Sequence, residues 1–276
     1  MSEECTHNCD TCGADCASRK TGPASLRLEP NPGSHIKTVI AVLSGKGGVG
    51  KSMVTSLLAA GLQRRGLKVG VLDADITGPS IPQAFGLHQM AEGTQDCMYP
   101  VETAQGLKVI SLNLLLEEES DPVLWRGPLI AGLVRQFWTD VAWGDLDVLL
   151  VDMPPGTGDV PLTVFQSLPV DGAVIVTSPQ DLVGMIVEKA LVMAERMQIP
   201  VLALVENLSY YVCPDCGKAH HIFGEGHTAQ AAAKHYIPLV CQLPIRPEVA
   251  AQMDAGTMEE AAMPELDALL DQIEKR

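Results

Sequence analysis

Cations are scarce in this chain of 276 residues: 19 Lys and Arg stand against 34 Asp and Glu, a formal net charge of -15. That balance repels the phosphates of nucleic acid and of anionic lipid, so neither nucleic acid nor membrane is expected as a partner, and proteins and nucleotide remain. No apolar run approaches the roughly 20 residues that span a bilayer. The N-terminus also lacks the basic and apolar regions of a secretory leader, so the expected compartment is cytoplasmic. Disulfides are disfavoured in that reducing setting. Six of the eight cysteines are clustered, which points instead to metal or redox chemistry.

What is present begins with a change of texture near residue 36. Residues 1–35 hold four cysteines, then Gly22-Pro23 and Pro30-Asn31-Pro32-Gly33, with little apolar periodicity, and read as a cysteine-bearing tail on a linker. Residues 36–276 read as one P-loop ATPase domain. The run 38–43 is continuously apolar, as expected of a strand buried on both faces of a parallel sheet, and Gly45-Lys46-Gly47-Gly48-Val49-Gly50-Lys51-Ser52 follows it directly. Leu57, Leu58, Gly61 and Leu62 then recur at helical spacing, and 69–72 forms a second strand ending in Asp73-Ala74-Asp75, which completes a βαβ unit. Further strands are expected at 107–112, 148–151, 173–176, 201–205 and 238–240, with helices such as 129–141 and 185–197 between them. The alternation predicts an α/β fold with a doubly wound, mostly parallel sheet.

The glycine-rich segment carries the nucleotide chemistry. Its glycines let backbone N–H groups turn inward onto phosphate oxygens, Lys51 suits the β- and γ-phosphates, and the Ser52 hydroxyl suits Mg²⁺. Lys46 is additional. At the second position it cannot readily fold back beside Lys51 onto its own nucleotide, which suggests that it reaches a partner's. Asp152 closes the 148–151 strand as a Walker B carboxylate does and is expected to serve Mg²⁺ through its water shell; Asp75 is placed to position an attacking water. After Asp152, Met153-Pro154-Pro155-Gly156-Thr157-Gly158-Asp159 has the composition of a shaped switch turn. The plainer alternative makes the aspartates strand-end caps and the glycines only turns.

The loop 46–52, with Asp73-Ala74-Asp75-Ile76-Thr77-Gly78-Pro79-Ser80-Ile81-Pro82, Trp125-Arg126-Gly127-Pro128, the 152–159 turn and Cys213-Pro214-Asp215-Cys216, resembles the Mrp/Nbp family of iron-sulfur carrier ATPases. That family belongs to the deviant Walker A, MinD/ParA-like group of P-loop NTPases (SIMIBI type). The resemblance covers about residues 36–262. It implies a homodimer sandwiching two ATP molecules, with Lys46 acting in trans like an arginine finger. It also implies Asn207 for adenine recognition, with Pro244 and Arg246 lining the base; an Asn after a strand is otherwise a cap or turn residue.

Cys213 and Cys216 place two thiols in one loop, and two thiolates do not complete a four-ligand site. Two chains around a two-fold axis furnish four sulfurs. The resemblance implies a bridging [4Fe-4S] cluster there, handed on to apo iron-sulfur proteins in concert with assembly scaffolds. Zinc held by Cys213, Cys216, His220 and His221 is the metal alternative, although adjacent histidines so close to Cys216 are cramped, and a redox-active Cys-x-x-Cys is a further one. Cys5, Cys9, Cys12 and Cys16 form a compact Cys-x₃-Cys-x₂-Cys-x₃-Cys run, enough for a second [4Fe-4S] site within one chain. The eukaryotic scaffold branch of the family spaces its first cysteine farther away, and zinc or an unmetallated tail stays open. Cys97 and Cys241 read as small apolar residues.

The expected function is an ATP-binding and ATP-hydrolysing iron-sulfur cluster carrier. Two alternatives stand beside it: an ATP-gated electron donor, whose family spaces its cluster cysteines as separated singles, and a MinD/ParA-like positioning ATPase. The last helix, 265–276, has an apolar side of Leu266, Leu269, Leu270 and Ile273, but its other side is acidic, which suits capping a core better than binding a membrane.

Overall fold

The computed structural model describes residues 27–75, 78, 80–94, 97–116, 127–180 and 183–276. Cys5, Cys9, Cys12 and Cys16 lie outside the described residues, as do Ile76, Thr77, Pro79, Trp125 and Arg126 of the family motifs.

The 38–43 run sits at the centre of a sheet as part of β1 (Ser34–Ser44). After the glycine-rich loop come α1 (Lys51–Arg64), β2 (Val69–Asp73), α2 (Ile81–Ala84), β3 (Val101–Glu102) and β4 (Lys108–Ile110). The chain continues through α3 (Gly127–Thr139), β5 (Gly144–Asp152), α4 (Asp159–Ser167), β6 (Gly172–Thr177), α5 (Val183–Arg196) and β7 (Val201–Val212). It closes with β8 (Ala219–His220), α6 (Thr228–Lys234), β9 (Val240–Pro244), α7 (Pro247–Asp254) and α8 (Asp267–Glu274). The strands lie in the order β3-β4-β2-β5-β1-β6-β7, with β9 also parallel to β7. Only β3 on β4 and β8 on the far end of β7 pair antiparallel among the described strands.

Side chains alternate across β1, and each set meets a different layer of helices. Ile40 and Val42 join Leu57, Leu58 and Leu62 of α1 and Leu269, Leu270 and Ile273 of α8 in one core. Val39, Ala41 and Leu43 join Phe137 and Trp138 of α3, Val164 of α4 and Leu191 of α5 in the other. Each fully buried Leu or Ile contributes about 1.5–3 kcal/mol relative to exposure, so two continuous cores hold the strand ends in place from both sides. The apolar stripe of the last helix is therefore spent on the core, as its acidic outer face suggested. No helix among the described residues is long and apolar enough to cross a membrane.

Strand bounds differ from expectation at several places: the strand expected at 107–112 spans only Lys108–Ile110, and the one expected at 148–151 begins at Gly144. The strand expected at 238–240 runs from Val240 to Pro244, because the Leu239 carbonyl only begins the ladder, accepting from Leu204 N at 3.0 Å, and Gln242 interrupts the apolar signal while keeping its place opposite Glu206. The strand expected to end at 205 continues to Val212 through Glu206 and Asn207, which are polar yet buried. Leu208 within it has φ 58, at a shift of register between Glu206 and Tyr210. Near the expected linker, Leu28 N donates to Ser167 O at 2.8 Å and Trp138 Nε1 donates to Leu28 O at 2.9 Å, so residue 28 already lies against α3 and α4.

Candidate functional site

The turn from β1 into α1 is set by glycines. Gly50 has φ 79, a left-handed conformation that disfavours any side chain, and a Cβ there would lie 2.3 Å from Asn207 Nδ2. A Cβ on Gly45 would lie 2.7 Å from the Ile186 carbonyl oxygen of α5. The loop is thus pressed between β7 and α5, with the N-terminus of α1 opening onto it, and that terminus offers unpaired N–H groups and the positive end of a helix dipole to an anion.

Lys51, Ser52 and Asp152 converge although a hundred residues separate them. Lys51 is 6% exposed, and its Nζ lies 2.6 Å from Asp152 Oδ2 and 3.7 Å from Asp75 Oδ2. Ser52 Oγ donates to Asp152 Oδ2 at 2.7 Å, and Thr55 Oγ1 donates to Asp152 Oδ1 at 2.6 Å. Asp152 therefore ends its strand fully buried, with both carboxylate oxygens engaged by the first two turns of α1. Across the β2–β5 ladder it faces Asp73, which accepts from Ser111 Oγ at 3.0 Å and from Asp75 N at 3.1 Å. Burial, and then the neighbouring Asp152 charge, push the Asp73 carboxyl well above the usual carboxylate range.

A cavity of about 330 Å³ opens above these groups, bounded by Lys46, Lys51, Ser52, Asp75, Pro155 and, on the far side, Met253 of α7. Ser52 Oγ and Asp152 Oδ2 share one edge of the carboxylate cluster, and this hydroxyl-carboxylate donor set fits a hard cation such as Mg²⁺. Lys46 lies on the rim, exposed, its Nζ donating to Gln180 Oε1 at 2.9 Å. The three residues expected around a base do not line this cavity. Asn207 Nδ2 donates to Val49 O at 2.9 Å, and its Oδ1 is buried with no hydrogen-bond partner among the described residues. Arg246 pairs with Glu265 Oε1 at 2.7 Å, and Pro244 pairs with Tyr210 across the β7–β9 ladder.

Several contributors escaped the sequence reading. Thr55 follows Lys51 by four residues, one helical turn, and that spacing was the available signal. Ala250, Met253 and Asp254 share one face of α7 at i, i+3 and i+4 and reach the cavity only because α7 follows β9 at the same sheet end. Glu206, fully buried, carried no motif at all.

Beyond β7 the chain forms a tight cysteine hairpin. Cys213 N donates to Lys218 O at 2.9 Å, Gly217 N donates to Cys213 O at 2.8 Å, and Gly217 takes φ 69 to close the turn before β8 returns along Tyr211 and Val212. Backbone N–H groups of Cys216 and Asp215, and then the Cys216 side chain, hold the Cys213 thiol below its ordinary range. Such N–H groups aimed at sulfur favour the thiolate that a metal requires. Cys213 is half-buried and Cys216 exposed. His221 Nδ1 lies 3.1 Å from Ser209 O with its ring tilted 53° against Tyr210, while His220 sits in β8. Among the described residues no group of three or more His, Cys, Asp or Glu converges as a metal site, so the four-residue zinc set is not assembled. Of the lone thiols, Cys241 is buried, as its apolar reading requires, and Cys97 only half-buried.

Relatives share this arrangement's sequence over most of the chain. An iron-sulfur cluster carrier protein of Clostridium perfringens is 46% identical over 264 residues, covering 92% of each chain, and one of Methanococcus maripaludis is 43% identical over 93% of this chain and 90% of its own. Among solved structures, a nucleotide-binding protein from Archaeoglobus fulgidus in complex with ADP matches with TM-score 0.73 and 47% identity, over 82% of this chain and 88% of that one. The MinD of Aquifex aeolicus in its complex with MinC matches with TM-score 0.60 at 20% identity over 86% of this chain and 94% of its own, a likeness of fold. The family model of the NUBPL iron-transfer P-loop NTPase matches residues 35–275, and the chain belongs to that family.

Proposed function

We propose that this chain is an ATP-hydrolysing carrier of iron-sulfur clusters that acts as a homodimer, holds a [4Fe-4S] cluster between the Cys213/Cys216 hairpins of two copies, and passes it to apo-proteins. The observation that carries this reading is the two-thiol hairpin. Hairpin N–H groups hold the Cys213 thiol below its ordinary range, and the described residues bring no third ligand to it within one chain. A second copy supplies the missing pair with the least additional machinery.

The nucleotide site follows the same logic of incompleteness. Lys51 and the loop amides bind the β- and γ-phosphates, displacing Lys51 from its shared position between Asp152 and Asp75. Mg²⁺, held by Ser52 and Asp152, supplies charge neutralisation at the phosphates. Asp75 orients the attacking water, and Lys46, freed from Gln180, reaches the partner's nucleotide. Asn207, Pro244 and Arg246 serve the adenine end of the nucleotide, outside the cavity that the loop residues line, and Asn207 does so once its buried amide oxygen is uncovered. Cargo transfer is ligand exchange: iron–sulfur bonds to Cys213 and Cys216 break as bonds to client thiolates form, with no change of oxidation state. ATP can drive it only by binding the retaining and releasing geometries with different affinity.

Reconstitution with iron and sulfide, read by absorbance, iron content and oligomeric mass, tests the reading. Wild type takes up one cluster per dimer more than Cys213→Ala/Cys216→Ala, whatever the N-terminal cysteines hold. Equal iron in the double variant removes the bridging site.

A further inference from the structure

The carboxylate of Glu206 is the most buried acid that the proposed chemistry leaves without a task, at 0% exposure. It is fully engaged. Ser209 Oγ donates to Oε1 at 2.7 Å, Gln242 Nε2 donates to Oε1 at 3.0 Å, and Thr228 Oγ1 donates to Oε2. A Cβ placed on Gly226 would lie 1.8 Å from Oε2, so the backbone at Gly226 runs directly over the carboxylate.

These contacts have a common geography. Ser209 lies on the outgoing strand just before the cysteine hairpin, Gly226 and Thr228 lie where the chain returns from it, and Gln242 lies on the neighbouring β9. One buried carboxylate thus ties both ends of the excursion that carries Cys213 and Cys216 to the edge of the sheet. The next residue, Asn207, holds the Val49 carbonyl of the phosphate loop at 2.9 Å. Adjacent strand residues project to opposite sides, so residues 206 and 207 grip two sites with one stretch of backbone. Leu208, in the left-handed region at the break of register, marks where the strand passes from one duty to the other.

We propose that Glu206 is the positioning residue of the cysteine hairpin and that, with Asn207, it forms the junction through which the phosphate loop acts on that hairpin. The inference deepens the carrier reading and rests on it for the identity of the cargo. Its test needs no iron, so the two can fail separately: a wild type that takes up no cluster defeats the carrier reading and leaves the junction measurable.

The test follows iodoacetamide alkylation of each cysteine in the full chain by mass spectrometry, with and without saturating MgADP. In wild type MgADP slows alkylation of Cys213 about fivefold, the lower end of ordinary coupling between sites. Glu206→Ala raises the rate without nucleotide about tenfold, as expected when a buried set of hydrogen bonds is lost, and abolishes the MgADP effect. Alkylation of Cys97, outside the hairpin, stays at the wild-type rate, which separates positioning from global unfolding. Glu206→Gln, whose oxygen accepts from Ser209 and Gln242 and whose nitrogen donates to Thr228, restores the wild-type pattern. If Glu206→Ala does not fold, Thr228→Val, nearly isosteric, changes the same two readouts in the same direction. Wild-type rates and an intact MgADP response in these variants overturn the proposal, as does a wild type indifferent to MgADP.

Discussion

The carboxylate of Asp152 organises its surroundings through three donors, and two of those donors were legible from the loop itself. Lys51 and Ser52 announce themselves by motif, whereas Thr55 is one threonine in a helix until the fold places its hydroxyl 2.6 Å from Oδ1. Thr55→Val is expected to leave that buried oxygen without a donor and to lower stability by about 1–3 kcal/mol, measured by urea unfolding. MgADP affinity should fall in the same variant. Lys51→Ala should abolish ATP turnover while iron content after reconstitution is unchanged, because the two sites use separate residues. Cys241 offers a pH test. Burial pushes its thiol up to about 11 from an ordinary value near 9.0, so the folded state keeps a proton that the unfolded state loses. Its contribution to stability is present below about pH 9 and is lost as pH rises from 9 to 11, by about 2–3 kcal/mol. Cys241→Val should flatten the alkaline fall in unfolding free energy over that interval, and an unchanged slope there would sink the assignment.

Among the elements, β1, β2, β5 and β6 were visible as apolar runs because a strand buried on both faces has no polar positions to obscure it. The strand β7 was visible only in its first half. Its second half carries Glu206, Asn207 and Ser209, polar residues that a periodicity argument assigns to solvent and that the fold buries by giving each a partner. Gly50→Ala tests how β7 meets the phosphate loop. A side chain at φ 79 costs about 1–2 kcal/mol, and a Cβ 2.3 Å from the Asn207 amide forces that side chain to move as well. Loss of ADP binding, read by calorimetry, is the expected outcome. The last helix presents a simpler case: Leu270 packs so closely on α1 that a Cβ on Gly61 would lie 2.7 Å from Leu270 Cδ1. Leu270→Ala should cost about 2–5 kcal/mol of unfolding free energy.

At the scale of the whole molecule the prediction concerns pairing. If Lys46 serves the partner's nucleotide, a chain with Lys46→Ala and a chain with Lys51→Ala are each inactive alone, yet a mixed dimer contains one complete site. Equal mixing gives half mixed dimers, each with one working site of two, so about a quarter of the wild-type ATP turnover should return. Mixtures as inactive as their components would place Lys46 within its own chain. The net charge of -15 belongs to this scale too, since it sets what the surface repels, and composition alone revealed it. By itself the sequence determined the parallel sheet, the glycine-rich loop and the spacing of two thiols on one turn, because buried strands, glycine turns and thiol spacing are local properties written over a few residues. Only the tertiary structure decided that Thr55 serves Asp152, that α7 walls the cavity, and that residues 206 and 207 link hairpin to loop. Those contacts join segments tens to more than a hundred residues apart, and no local pattern records which distant groups a fold brings within hydrogen-bonding reach.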